Sequence, residues 1–381
     1  MEALRNACVL SDGAFLESHT VIIDGGLIKS IEPDGAQYDG LSNVVDIGGN
    51  YLLPGFVDLQ VNGGGGVLFN DEPSVDTIRR IGEAHRFFGT TSFMPTLITD
   101  EARVMERAIL AVREAIEIGV PGVLGIHLEG PYLNPEKCGA HDAGNFRTLD
   151  LAAVDLLSSL DLGRTLVTLA PEMTNPELIA SLRSRNVVVS AGHTNAGFKC
   201  IQEAFDAGVT GVTHLFNAMS NITAREPGVV GAALDNDELW CGIIIDGFHV
   251  DPACLRLAMA AKPISRLFLV TDAMPGVGTD MKAFNLNGES VTIEGGKCVN
   301  SDGTLAGSNL DMSSAVTNAV QMMGVTLAQA ISMASQNPAE FIGLGETLGQ
   351  IKAGYRADLI MADRSLNILK TWIAGVPKSA S

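Results

Sequence analysis

A chain of 381 residues with 46% hydrophobic side chains can bury a large core, as one large domain or two smaller ones. Its formal net charge of −19 excludes nucleic acid and anionic membrane surfaces as natural partners, since both would repel it. Six cysteines stand without CxxC or any paired spacing, which predicts free thiols in a reducing compartment rather than a disulfide frame or a zinc–thiolate site.

The opening MEALRNACVL has no basic region followed by an apolar run, so no signal peptide is read and a cytoplasmic location is expected. No window reaches the length of a membrane span. Residues 1–52 read as short strands between turns (HTVIID, LIKSIEP, VVDIGG), with Asp24-Gly25-Gly26 as a hairpin turn. That segment is too short to form a core alone and is expected to pair with something distant.

From Leu53 buried strands alternate with amphipathic helical stretches, such as 75–88, 101–118 and 196–207. Eight strands are predicted, at 56–61, 91–96, 123–129, 166–172, 187–193, 211–216, 240–246 and 267–272. Eight βα units in one run predict a (β/α)8 TIM-like barrel. A doubly wound open sheet would need a G-x-G-x-x-G helix start after its first strand, and the run Gly63-Gly64-Gly65-Gly66 lacks one. A hairpin is predicted at 284–303, then helices at 313–323 and 327–335. The tail returns to short strands. The division expected is a barrel at 53–348, inserted in a small β-sandwich domain built from both chain ends, 1–52 and 349–381.

The stretch VVVSAGHTN, 187–195, is central. Three β-branched residues lead into small ones and then His193, just past the carboxyl end of a buried strand, where α/β barrels keep their chemistry. His214 ends the next strand and Glu129 ends strand three. Two imidazoles and a carboxylate form the ligand set of a catalytic zinc or ferrous site with a position open for water. A lone histidine would read as a hydrogen-bonded core residue; three ligand types at three strand ends would not. Asp272 ends strand eight and reads equally as a helix N-cap or, beside a metal, as a general base and acid. His127 is expected to support the site rather than bind metal, and His19 and His85 to be surface residues. His141 and His249 stand in loops where either could donate a hydrogen bond to a substrate and either reads equally as a plain loop histidine. Arg225 has the fork of donors that suits a phosphate or carboxylate, although alone it reads as a surface residue paired with Glu226.

The order of these strand-end residues, with β segments at both chain ends, resembles the amidohydrolase superfamily. Within it, PGFVDLQVNGGGG, HLEGPYLN, LAPEM, SAGHTNA, THLFNAM, REPG, DGFHVD, LVTDAM and GTLAGS together resemble the deacetylases of N-acetylglucosamine 6-phosphate, over nearly the whole chain. The resemblance implies Glu129, His193 and His214 as ligands of one divalent metal per subunit, zinc foremost with iron as the alternative. It implies a metal-bound water as nucleophile, Asp272 as general base and acid, and His141 as the group that polarises the acetamide carbonyl. Asn217, with the Ala218 backbone, and Arg225 would hold the sugar phosphate, His249 a hydroxyl, and the backbone around Leu305, Ala306 and Gly307 would line the sugar pocket. The resemblance also implies a homodimer, with Arg225 and His249 reaching the neighbouring site. Many superfamily members carry His-x-His at the end of strand one and bind two metals. Here Gln60-Val61-Asn62 stands in that place, so one metal is expected, with Gln60 and Asn62 free to bind water or substrate. The epimeric N-acetylgalactosamine 6-phosphate is the close alternative substrate. A ring-opening amidohydrolase or a deaminase is more distant, and a scaffold or sensor without chemistry would lack some of Glu129, His193, His214 and Asp272.

Overall fold

A computed structural model describes residues 1–35 and 40–379. Its centre is a parallel sheet of eight strands: β1 (Phe56–Val61), β2 (Thr90–Ile98), β3 (Gly125–Glu129), β4 (Arg164–Leu169), β5 (Val188–Ala191), β6 (Val209–Val212), β7 (Trp240–Ile243) and β8 (Leu267–Leu269). Neighbours in the sheet are neighbours in the chain throughout. The ends meet through backbone bonds: the Asp272 N–H donates to the Gln60 carbonyl at 2.9 Å, and the Asn62 N–H to Ala273 at 3.0 Å. The sheet is therefore a closed barrel, as expected.

Every residue of β1, β2 and β3 is buried, the pattern of strands covered on both faces. Helices supply the outer cover, and their starts follow capping chemistry. Ser74 accepts from the Thr77 N–H at 3.2 Å before Val75–Arg86, and Asn175 caps Pro176–Ser184, whose first residue is a proline.

The strands β5 to β8 end two to four residues earlier than the sequence predicts. His193, His214 and Asp272 have φ of 48°, 33° and 52°, a left-handed backbone that no extended ladder can contain. The chain thus leaves the barrel wall at the very residues singled out for chemistry. Non-glycine residues in this region carry strain that surrounding contacts must offset, and such strain gathers at functional sites.

The chain ends join in a second sheet. Tyr51–Pro54 pairs antiparallel with Leu359–Ala362, and Glu2–Ser11 pairs with both Ala14–Asp24 and Tyr51–Pro54. Its own core includes Leu4, Val21, Ile28, Leu52, Leu359 and Trp372. Because Tyr51–Pro54 runs straight on into β1, one covalent strand passes from the sandwich to the barrel.

The hairpin expected at 284–303 is instead a four-stranded antiparallel meander: Ala283–Leu286, Glu289–Glu294, Lys297–Val299 and Leu305–Ser308. Its last strand, LAGS, has no β-branched residue to announce it. That strand returns to the barrel, where the Ser308 N–H donates to the Asp272 carbonyl at 2.9 Å. The helix expected at 313–323 is α-helical over Met312–Asn318 and widens to a π turn at Ala319–Met323. A further helix, Gln336–Phe341, follows Leu327–Ala334. Among the described residues no helix is long and apolar enough to cross a membrane. All six cysteines are free thiols.

Candidate active site

The carboxyl ends of β3, β5, β6 and β8 bring four predicted residues together. His214 Nε2 lies 3.0 Å from Glu129 Oε1, His193 Nε2 lies 3.3 Å from the same oxygen, and the two ring nitrogens are 3.1 Å apart. All three side chains are buried. The Lys137 carbonyl lies 2.8 Å from His193 Nδ1, so Nδ1 carries the proton and Nε2 presents a bare lone pair. Two imidazole nitrogens facing each other across one carboxylate oxygen are poorly satisfied by any sharing of protons. The same three atoms, all within 4.8 Å of one another, suit a divalent cation between them. Burial pushes the Glu129 carboxyl up, but the His193 and His214 imidazoles beside it outweigh that and hold the group well below its ordinary range.

Asp272 completes the cluster. Its Oδ1 accepts from Asn62 Nδ2 at 2.6 Å and from Gln60 Nε2 at 3.2 Å. Gln60 Nε2 also lies 3.2 Å from Glu129 Oε2 and so bridges two carboxylates that would otherwise repel. Both amides are buried and neither lies on the cavity wall. They fix the Asp272 carboxylate instead, and Oδ2 accepts no hydrogen bond among the described residues. Burial pushes the Asp272 carboxyl up to about 6, with the Glu129 charge adding to it.

His141 stands beside the triad, its Nε2 4.0 Å from Glu129 Oε2. Its Nδ1 lies 3.3 Å from the Thr99 backbone N–H, with Thr99 Oγ1 at 2.8 Å. A backbone N–H can only donate, so Nδ1 accepts and the ring proton sits on Nε2. Burial, reinforced by His193, pushes the imidazole down to about 3, which keeps it neutral. It is built as a donor. The sequence did not single out Thr99.

These side chains line a cavity of about 380 Å³, within the range of small-molecule sites. Asn217, Ala218, His249, Leu305 and Gly307 share the wall. Ala306 does not: it packs away from the cavity with Met274 and Leu286, because alternate residues of a strand face opposite sides. His249 Nδ1 is 2.6 Å from Asp246 Oδ2, and the residue lines the cavity of its own chain. Arg225 is exposed and off the cavity wall. It does not pair with Glu226, whose carboxylate accepts the Phe198 and Gly228 N–H groups at 2.7 and 3.0 Å. His127 is held by Thr168 Oγ1 at 2.8 Å, in a supporting position as expected. His85 corrects its surface assignment: it is fully buried and braces the Gly63 carbonyl at 2.9 Å. His19 is half-buried.

Glu172, just past the end of β4, is a residue the sequence reading passed over. Its carboxylate accepts from Thr194 Oγ1 at 2.5 Å, from the Asn195 N–H at 2.6 Å and from Asn134 Nδ2 at 2.8 Å. It pins the turn that carries His193. Its position at a strand end was the one available signal. Replacing it by glutamine is expected to weaken metal binding about 10- to 100-fold, the usual cost of losing a support behind a ligand, as read by competition with a chromogenic chelator.

The amidohydrolase family profile matches residues 51–378. The chain belongs to the amidohydrolase family. This amidohydrolase is 42% identical to an N-acetylgalactosamine-6-phosphate deacetylase of Shewanella sp. (strain ANA-3), over 97% of this chain and 94% of that protein. The crystal structure of N-acetylglucosamine-6-phosphate deacetylase from Pasteurella multocida superposes with a TM-score of 0.95, at 37% identity, covering 99% of both chains. A Mycobacterium smegmatis N-acetyl-D-glucosamine-6-phosphate deacetylase variant, solved in complex with N-acetyl-D-glucosamine-6-phosphate, gives 0.90 at 31% identity, covering 99% of this amidohydrolase and 98% of that chain.

Proposed function

We propose that this chain hydrolyses the acetamide of N-acetyl-D-glucosamine 6-phosphate, releasing acetate and D-glucosamine 6-phosphate. The observation that carries this reading is the convergence of Glu129, His193 and His214 beside an Asp272 oxygen left free at the same cavity. A divalent metal held by those three ligands, zinc foremost and iron as the alternative, would supply Lewis acidity toward water and the amide carbonyl. Asp272, held through Oδ1 by Asn62 and Gln60, takes the proton of the attacking water and later delivers it to the leaving nitrogen. The His141 Nε2–H donates to the carbonyl oxygen as that atom gains negative charge. Water thus adds to the carbonyl carbon, the C–N bond breaks, and one proton travels from water to nitrogen through Asp272.

Asn217 and Ala218 take the phosphate end, His249 a sugar hydroxyl, and Leu305 and Gly307 the ring. Arg225, which is exposed, serves the phosphate from a neighbouring subunit of a homodimer. The barrel at 53–348 is the catalytic domain, and 1–52 with 349–381 the small sandwich. The enzyme works in the cytoplasm, in amino-sugar catabolism and cell-wall recycling. The 42% identity to the Shewanella protein favours a second reading, in which the galacto epimer is the better substrate.

The test is acetate release by metal-loaded protein from both epimeric 6-phosphates and from unphosphorylated N-acetylglucosamine. Turnover led by the gluco 6-phosphate supports the first reading, and turnover led by the galacto epimer supports the second. No acetate from either phosphate overturns both.

A further inference from the structure

The cavity has one permanent cation on its wall. Among its described lining residues, Glu129, Glu136 and Asp272 are acidic, and Lys137 is the sole lysine or arginine. A phosphate carries up to two negative charges, so a site with three carboxylates and a chain charge of −19 needs local positive charge to accept it.

Lys137 is placed to supply that charge. Its backbone carbonyl is fixed by His193 Nδ1 at 2.8 Å, which pins the residue beside the metal ligands whatever its side chain does. The adjacent carboxylate does not neutralise it: Glu136 Oε2 instead accepts from Asn195 Nδ2 at 2.7 Å. The Lys137 ammonium makes no ion pair or hydrogen bond among the described residues. The turn containing Asn195 is stitched to the opposite wall, where the Thr194 N–H donates to the Ala218 carbonyl at 3.1 Å. The Lys137 loop and the Asn217–Ala218 turn are thereby held as adjoining parts of one rim.

We propose that Lys137 is a specificity residue for the phosphate, pairing with it from within the same chain and next to Asn217 and Ala218. This rests on the reading of the substrate as a sugar phosphate. It also separates the roles of the two basic residues: Lys137 gives each subunit its own phosphate contact, and Arg225 serves across the dimer.

The experiment is calorimetric binding of glucosamine 6-phosphate and of glucosamine to metal-loaded protein, for wild type, Lys137→Met and Lys137→Arg. Acetate release is measured alongside. Lys137→Met is expected to weaken glucosamine 6-phosphate binding about tenfold or more, the scale of one lost charge-assisted hydrogen bond. Glucosamine binding should be unmoved, Lys137→Arg should recover most of the loss, and KM should rise far more than kcat falls. Equal weakening for both sugars, or none for either, would overturn the proposal. Binding does not require turnover, so a wild type that binds the phosphate but releases no acetate sinks the deacetylase reading and leaves the Lys137 comparison intact.

Discussion

Asp272→Asn is expected to lower kcat by about 10²- to 10⁴-fold, the span of general acid–base catalysis, while metal content and substrate affinity stay close to wild type. The new side chain has nearly the same shape, and its oxygen can still accept from Asn62 and Gln60. What it cannot do is take a proton from water and return it to nitrogen. Gln60 and Asn62 already spend their own amide donors on carboxylates, and His141 has its acceptor nitrogen engaged by Thr99, so none of them can replace the lost base. Single-turnover acetate release, paired with equilibrium binding of the substrate, checks both halves. A variant retaining kcat within a few-fold would remove Asp272 from the proton path.

Glu129→Gln is expected to act one step earlier, by losing the metal. Glu129 Oε1 is the atom shared by both histidines, and its charge is the sole anionic ligand of the set. The amide contributes no charge, and its NH2 group would oppose either the Gln60 amide or the two imidazoles. Metal affinity should fall by more than the 10- to 100-fold typical of a supporting residue. Activity should then drop to background at stoichiometric metal. Thermal stability gives a second readout, because a metal present at 100 times its Kd adds about 2.7 kcal/mol to the folded state. The wild-type rise in Tm on adding metal should be absent in the variant, as seen by calorimetry. Elemental analysis after gel filtration measures the bound metal directly.

The barrel was legible because its strands are buried on both faces and read as short, largely apolar runs in regular alternation with amphipathic helices, from FVDLQV to LFLVTD. Where each strand stops was not legible. A run such as VVVSAGH continues smoothly in sequence, while its backbone turns left-handed at His193. The metal-ligand candidates could be read because a barrel places consecutive strand ends on one face whatever the details of the loops. Contacts that depend on side-chain direction could not. Spacing puts Gln60 and Asn62 on one side of the chain at the end of β1 but says nothing of the carboxylates that occupy them. The Ala306 side chain faces Met274 and Leu286 rather than the cavity, a direction the segment's place in the chain does not give. His85, isolated in an amphipathic helix, gave no hint of the Gly63 carbonyl it supports. Glu172 and Thr99 act through the backbone and side chains of distant loops, a relation that only the assembled fold reveals.

One metal is expected to suffice at this hydrolytic centre, because strand one offers amides where a second metal would need imidazoles. The most direct measurement is reconstitution: chelated protein is titrated with zinc, and acetate release from N-acetyl-D-glucosamine 6-phosphate is followed at each point. Activity is expected to rise linearly and to reach its plateau at one equivalent per chain. A plateau reached only at two equivalents, or full activity with the metal removed, would contradict it.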